Sequence, residues 1–308
     1  MIVCRDKNKI LETLKAKNGI VNAILDTDTF NEIDDQFALV QMLFSKKRIN
    51  TLSINAAPFS MNSRSNHPQI GMELSYNEIF RLLDKINFKK NNFVFKGSKE
   101  YIGLKKKPIQ SPAADNIIEN ALKCSEDDRL YVISIGAITN IASAILKEPE
   151  IINKIVVVWL GGNALYWPEN NEFNLKQDVG GAQVLFDSGV SLVLVPCKGV
   201  TSHLISTVPE IEKYIEPHGK IGKFLAMRFK EYNNNHKGWS KEIWDMAAVG
   251  WVLNENWAPT NIIPSPILLD NMGWKFDKNR HPIKIVYQIK RDMIFKDLIE
   301  KIEINTRN

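Results

Sequence analysis

The chain has 308 residues, 44% hydrophobic and 24% charged, with a net charge of +5 and three cysteines. That is ample for a large core and ordinary for a soluble globular protein. It excludes a disulfide framework, a Cys/His zinc module and, for want of a basic face with interleaved aromatics, a nucleic-acid binder. The N-terminus has no signal-peptide core and no stretch reaches membrane-span length, so a reducing cytoplasm and no membrane contact are expected. Cys4, Cys124 and Cys197 read as small buried hydrophobes.

In chain order, residues 8–17 pattern as a short helix capped by Asn8 and stopped at Asn18-Gly19. Val21 to Leu25 is a strand. Four acids follow it, Asp26, Asp28, Asp34 and Asp35, and then a helix to about Ser45. Ile49 to Ala56 is a second strand, residues 58–68 a polar loop, and Ile70 to Ile86 an amphipathic helix. Phe93 to Phe95 is a short strand, residues 98–112 a loop, and Ala113 to Lys123 a helix. Leu130–Ile135, Ile155–Leu160 and Ser191–Val195 are continuous apolar strands, with helices at 139–146 and 178–187. Beyond Val208 the pattern is mostly helical, at 221–232 and 241–253. Pro259, Pro264 and Pro266 interrupt it, and strands at 267–269 and 283–289 precede a helix at 293–302. Apolar strands alternating with helices predict a single-domain α/β fold: an open, mostly parallel central sheet with helices on both faces. Right-handed crossovers then put the strand-end loops on one rim.

The acidic groups fall on that rim. Asp26 and Asp28 end the first strand, and Asp34 and Asp35 open the following helix. Thr139 lies in G-A-I-T-N, Glu172 and Asn174 in E-F-N, and Trp244-Asp245 opens another apolar helix. Asp at a helix start is favoured by the dipole, so capping alone competes as an explanation. Four acids at one strand end exceed what a cap needs. An all-oxygen pocket suits a hard cation such as Ca²⁺, with one carboxylate free to take a proton from water. Thr139 and Asp245 are equally readable as helix-start residues. The five histidines share no spacing and read as structural. Trp167 and Trp244 lie in rim loops, where they could stack on a flat ring.

Taken together, D-T-D…D-D (Asp26 to Asp35), G-A-I-T-N (Gly136 to Asn140), Gly161-Gly162, E-F-N (Glu172 to Asn174), Val200-Thr201 and Trp244-Asp245 resemble the inosine–uridine-preferring nucleoside hydrolases across most of the chain. The resemblance implies an open α/β fold with rim-bound Ca²⁺ that cleaves the N-glycosidic bond of ribonucleosides. It implies that Asp28 is both a metal ligand and the base that activates water. Asp35, the Thr139 main-chain carbonyl and Asp245 would be further metal ligands. Asp34, Asn163, Glu172 and Asn174 would hold the substrate, Trp244 would stack on the base, and Asp26 would be a structural partner. A Trp rather than a His before the last Asp leans toward purine nucleosides. A homo-oligomer, dimer or tetramer, is the family habit.

The chain also departs from the pattern. Five residues (T-F-N-E-I) separate Asp28 from Asp34 where the family has three, and Glu32 adds an acid. The Asn expected after the second strand is replaced in A-A-P-F, and a His expected near Gly97 is missing. These departures alter base recognition and leave the metal set. Two rival readings are a nucleoside- or ribose-binding protein without turnover, and a haloacid-dehalogenase-type phosphatase with Asp26 as nucleophile. A calcium helix-loop-helix fails because its twelfth position is Phe37.

Overall fold

The computed structural model describes residues 6–307; the reading of Cys4 lies outside them. In chain order the strands are β1 (Val21–Thr27), β2 (Ile49–Ala56), β3 (Val94–Lys96), β4 (Leu130–Ser134), β5 (Ile155–Leu160), β6 (Ser191–Val195), β7 (Ile205–Ser206), β8 (Lys241–Glu242), β9 (Thr260–Pro264), β10 (Ile267–Leu268), β11 (Trp274–Lys275) and β12 (Pro282–Val286). The helices are α1 (Lys7–Thr13), α2 (Asp34–Leu43), α3 (Pro68–Lys85), α4 (Pro112–Leu122), α5 (Thr139–Lys147), α6 (Phe173–Gln177), α7 (Val179–Asp187), α8 (Val208–Tyr214), α9 (Gly219–Glu231), α10 (Met246–Leu253) and α11 (Arg291–Thr306).

Eight strands form one sheet in the order β3-β2-β1-β4-β5-β6-β12-β9, parallel throughout except for β9, which runs antiparallel to β12 at the edge. Alternation along each strand feeds both faces. On β5, Val156, Val158 and Leu160 join the core shared with α2, α9, α10 and α11, whereas Val157 and Trp159 join the core shared with α4, α5 and α7. Burial on both faces is why these strands read as continuous apolar runs. The chain order reverses between β1 and β4, and in doubly wound sheets the ligand crevice opens at the C-terminal ends of the strands at such a point.

The structure adjusts several expected boundaries. β1 runs on through Asp26 to Thr27 because those two residues still pair with β2, Asp26 opposite Asn55 and Thr27 opposite Ala56. The cap of α1 is Asp6, whose carboxylate accepts from Asn8 N–H, rather than Asn8 itself. The helix expected from Lys241 begins at Met246, because Lys241 and Glu242 pair with β7 instead. β9 was hidden by its flanking prolines, which an edge strand tolerates because one side needs no ladder donors.

Candidate active site

The rim cleft has a cavity volume of about 160 Å³ and is lined by groups from five loops. Asp28 comes from the β1 end, Asp34 and Asp35 from the first turn of α2, Ile135 from the β4 end, Glu172 and Asn174 from the start of α6, and Trp244 and Asp245 from the turn into α10. The sequence folds this way locally because each apolar strand ends where the chain must turn, and each following helix begins with a polar residue.

None of the cleft aspartates is used up as a helix cap. Neither Ile33 at the start of α2 nor Asp245 at the start of α10 makes a side-chain cap hydrogen bond. Asp34, Asp35 and Asp245 are all buried, and one oxygen of each lies within 4.8 Å of the others. Thr27 Oγ1 donates to Asp35, and Asp35 and Asp245 are close enough to share a proton. Asp28 is 1% exposed, and neither of its carboxylate oxygens meets a hydrogen-bond donor among the described residues.

Burial first, and neighbouring acid second, raise the pKa values of Asp28, Asp34, Asp35 and Asp245. Burial, then the neighbouring Asp35 and Asp34, pushes Asp28 well above the usual carboxylate range. Burial raises Asp35 and Asp245 likewise, each further raised by the acids beside it. Asp34 is pushed up to about 7 by burial, against the pull of Lys241. An acid cluster this buried calls for compensating positive charge. The orphaned oxygens of Asp28 and the oxygen-only set of Asp28, Asp34, Asp35 and Asp245 fit a hard divalent cation.

Thr139 is not brought to the cleft. It opens α5 fully buried, and its hydroxyl donates to Asp178 Oδ2 at 2.7 Å. Asp178 also accepts from the Ile102, Gly103 and Gly181 N–H groups, so it ties together the starts of α5 and α7 and the loop between them and β3. The residue of this segment on the cleft wall is Ile135. The next residue, Gly136, lies so close that an added Cβ would come 3.2 Å from Asp28 Oδ1, and its own carbonyl accepts from Trp159 Nε1 at 3.1 Å.

The other expected residues are placed as follows. Asp26 is fully buried inside β1, accepts from Asn140 Nδ2 at 2.9 Å and does not line the cleft. That suits a structural partner and removes the nucleophile that the phosphatase reading required. Glu172 caps α6, accepting from the Asn174 and Leu175 N–H groups, and also accepts from Gly162 N–H at 2.7 Å. Asn174 donates to the Leu160 carbonyl. Asn163 lines the cleft, but its amide spans Glu169 O and Lys198 N–H, which fixes the neighbouring loop. Cys197, read as a core hydrophobe, lies on the wall beside Glu172 and donates to it. Trp167 and the histidines are not part of the lining.

The pairing of Glu32 with Lys241 escaped the sequence reading. Glu32, the extra acid of the long β1–α2 loop, lines the cleft and is 2.6 Å from Lys241 Nζ. The Lys241 side chain is only 7% exposed, and its charge also acts on Asp34. No spacing signal links residues 209 apart.

The family model described as inosine-uridine preferring nucleoside hydrolase matches residues 23–296. A probable uridine nucleosidase 2 of Arabidopsis thaliana is 26% identical over 144 residues, 46% of this chain and 44% of that protein. A non-specific ribonucleoside hydrolase RihC of Shigella flexneri is 26% identical over 157 residues, 50% of each chain. The chain thus matches about half the length of these curated relatives. A purine-preferring ribonucleoside hydrolase of Gardnerella vaginalis shares the fold, with a TM-score of 0.73 and 20% identity over 92% of this chain and 99% of that one. With that family model spanning most of the sheet and every cleft loop, the chain belongs to the inosine-uridine preferring nucleoside hydrolase family.

Proposed function

We propose that the protein is a Ca²⁺-dependent N-ribohydrolase that splits ribonucleosides into ribose and free base, with Asp28 as the base that activates water. The observation that carries this reading is the pair of orphaned, buried oxygens on Asp28 beside the converging carboxylates of Asp34, Asp35 and Asp245. Asp28, Asp35 and Asp245 would hold the cation. The main-chain group sought at Thr139 is better placed at Ile135, which lines the cleft. Bound there, the cation offsets the clustered negative charge and makes a nearby water a stronger acid.

Asp28 takes a proton from the attacking water, whose oxygen bonds to C1′ of the ribose. The C1′–N bond breaks and its electron pair leaves with the base, which gains one proton overall. Positive charge builds on the sugar as the bond lengthens, and Asp34, Asp35 and Asp245 stabilise it electrostatically. Asn174 and Glu172, held by their backbone contacts, border the space for the ribose. Trp244, half-buried on the wall, would stack on a purine and ease its departure.

The test is reducing-sugar release from a panel of purine and pyrimidine ribonucleosides, with and without a chelator. Chelator-sensitive release, fastest with purines, is expected. No release from any nucleoside by the Ca²⁺-loaded protein would overturn the reading in favour of a binding protein.

A further inference from the structure

The cleft does not end at the aspartates. Asn31, Glu32 and Phe173 line it on one side and, on the other, line a second, outer chamber with Asn62, Arg64, Lys176 and Tyr232. Part of the outer chamber is built by the β1–α2 loop, longer here than the family pattern, and by the loop after β2. The lengthened β1–α2 loop and the loop after β2 meet there: Asn62 Nδ2 donates to Asn31 Oδ1 at 2.6 Å, and Arg64 Nη1 donates to the Phe30 carbonyl at 2.8 Å.

The acids of this chamber are paired with bases outside its lining rather than with its own cations. Glu32 is matched by Lys241 at 2.6 Å, and Glu231 by Arg228 at 3.1 Å. Arg64 and Lys176 have no carboxylate within 4.0 Å among the described residues. Their cations rest on aromatic faces instead, Arg64 5.4 Å from the Phe30 ring centre and Lys176 5.3 Å from that of Phe173. Arg64 is half-buried, and desolvation and the charge of Arg228 lower its pKa against the opposing pull of Tyr232, Glu32 and Glu78. A guanidinium and an ammonium lining one chamber that adjoins the cleft suit a carboxylate or phosphate.

We infer that the outer chamber binds an anionic group on the substrate, so the enzyme prefers N-ribosides carrying a carboxylate or phosphate over neutral nucleosides. This rests on the N-ribohydrolase reading and refines its substrate class. Arg64 and Lys176 would set specificity; the bond broken and the water used are unchanged.

The experiment compares uridine, uridine 6-carboxylate and uridine 5′-monophosphate at low and high salt. The first anion sits on the base and the second on the ribose, so the pair separates the two sources. For one of them, kcat/KM should exceed that of uridine by on the order of tenfold, the scale of a charge-assisted contact. The ratio should fall toward one at high salt and in Lys176→Met or Arg64→Met, and persist in Lys176→Arg. A ratio near one in the wild type, or one indifferent to Lys176→Met, would overturn the inference while leaving the hydrolase reading standing. If none of the three is hydrolysed, the hydrolase reading is what fails. Calorimetric titration of the three probes then decides the inference: tighter binding of an anion, lost in Lys176→Met, upholds it, and equal or absent binding overturns it.

Discussion

Asp28 is costly to the fold in isolation. A fully buried carboxylate without donors, beside two more acids, loses stability unless it is protonated or meets a cation. Asp28→Asn keeps the shape and removes the charge. Its turnover should fall about 10²- to 10⁴-fold, the usual worth of a positioned general base. In chelator its thermal midpoint should equal or exceed the wild type's. Retained turnover would refute the role of Asp28. Thr139 gives the contrasting case. Thr139→Val deprives Asp178 of one of its four donors and should cost roughly 1–3 kcal/mol in denaturant unfolding. Calorimetry should show its Ca²⁺ affinity unchanged, whereas a large loss would contradict a purely structural role for this hydroxyl. The acids were legible in the sequence because Asp26 to Asp35 lie within one strand–loop–helix unit. Which residue of G-A-I-T-N or its approach faces the cleft was not legible: the main-chain carbonyl was expected at Thr139, whereas Ile135 lines the cleft and the Thr139 hydroxyl is spent on Asp178.

At the scale of elements, α2 and α10 each bring acids into the same space from their first turns, and Lys241, just before α10, offsets part of that charge. Its pairing with Glu32 anchors the long β1–α2 loop. Because the Glu32 side chain is one-third exposed, screening reduces the value of the pair, and Lys241→Met should destabilise the chelated protein by about 1–2 kcal/mol. The same change adds net negative charge near Asp34, so Ca²⁺ should bind severalfold more tightly in calorimetry. Weaker binding would contradict the electrostatic account. The parallel strands were legible because burial on both faces leaves unbroken apolar runs. β9 and the β7–β8 pair were not, since proline-flanked or two-residue strands carry no period. Nor could the sequence show that the two altered loops, 29–33 and 57–65, buttress each other through Asn31, Asn62 and Arg64.

Across the whole molecule, the aspartate cluster links metal, pH and stability. Asp34 and Asp26 each have a folded pKa of about 7, raised by burial above the unfolded value. Between the ordinary carboxylate range and about pH 7 the folded state therefore holds more protons than the unfolded chain. Stability contributed by these groups is present at low pH and is lost as pH rises through that window. Thermal unfolding in chelator should show the midpoint falling from about pH 5 to about pH 8. Saturating Ca²⁺ should flatten that slope and, at a hundredfold excess over its Kd, add about 2.7 kcal/mol. A chelated protein whose stability rises across the window would contradict this. The sheet order and its switch point explain why residues as distant as Asp28 and Asp245 share one cleft, and the strand–helix alternation made that much legible from the sequence. The most direct measurement of the central claim is a Ca²⁺ titration of metal-stripped protein that follows ribose release and calorimetric binding together. The account predicts no release before addition and activity that rises in proportion to one bound ion per chain. Full release by the stripped protein, or binding at the aspartates without any release, would contradict it.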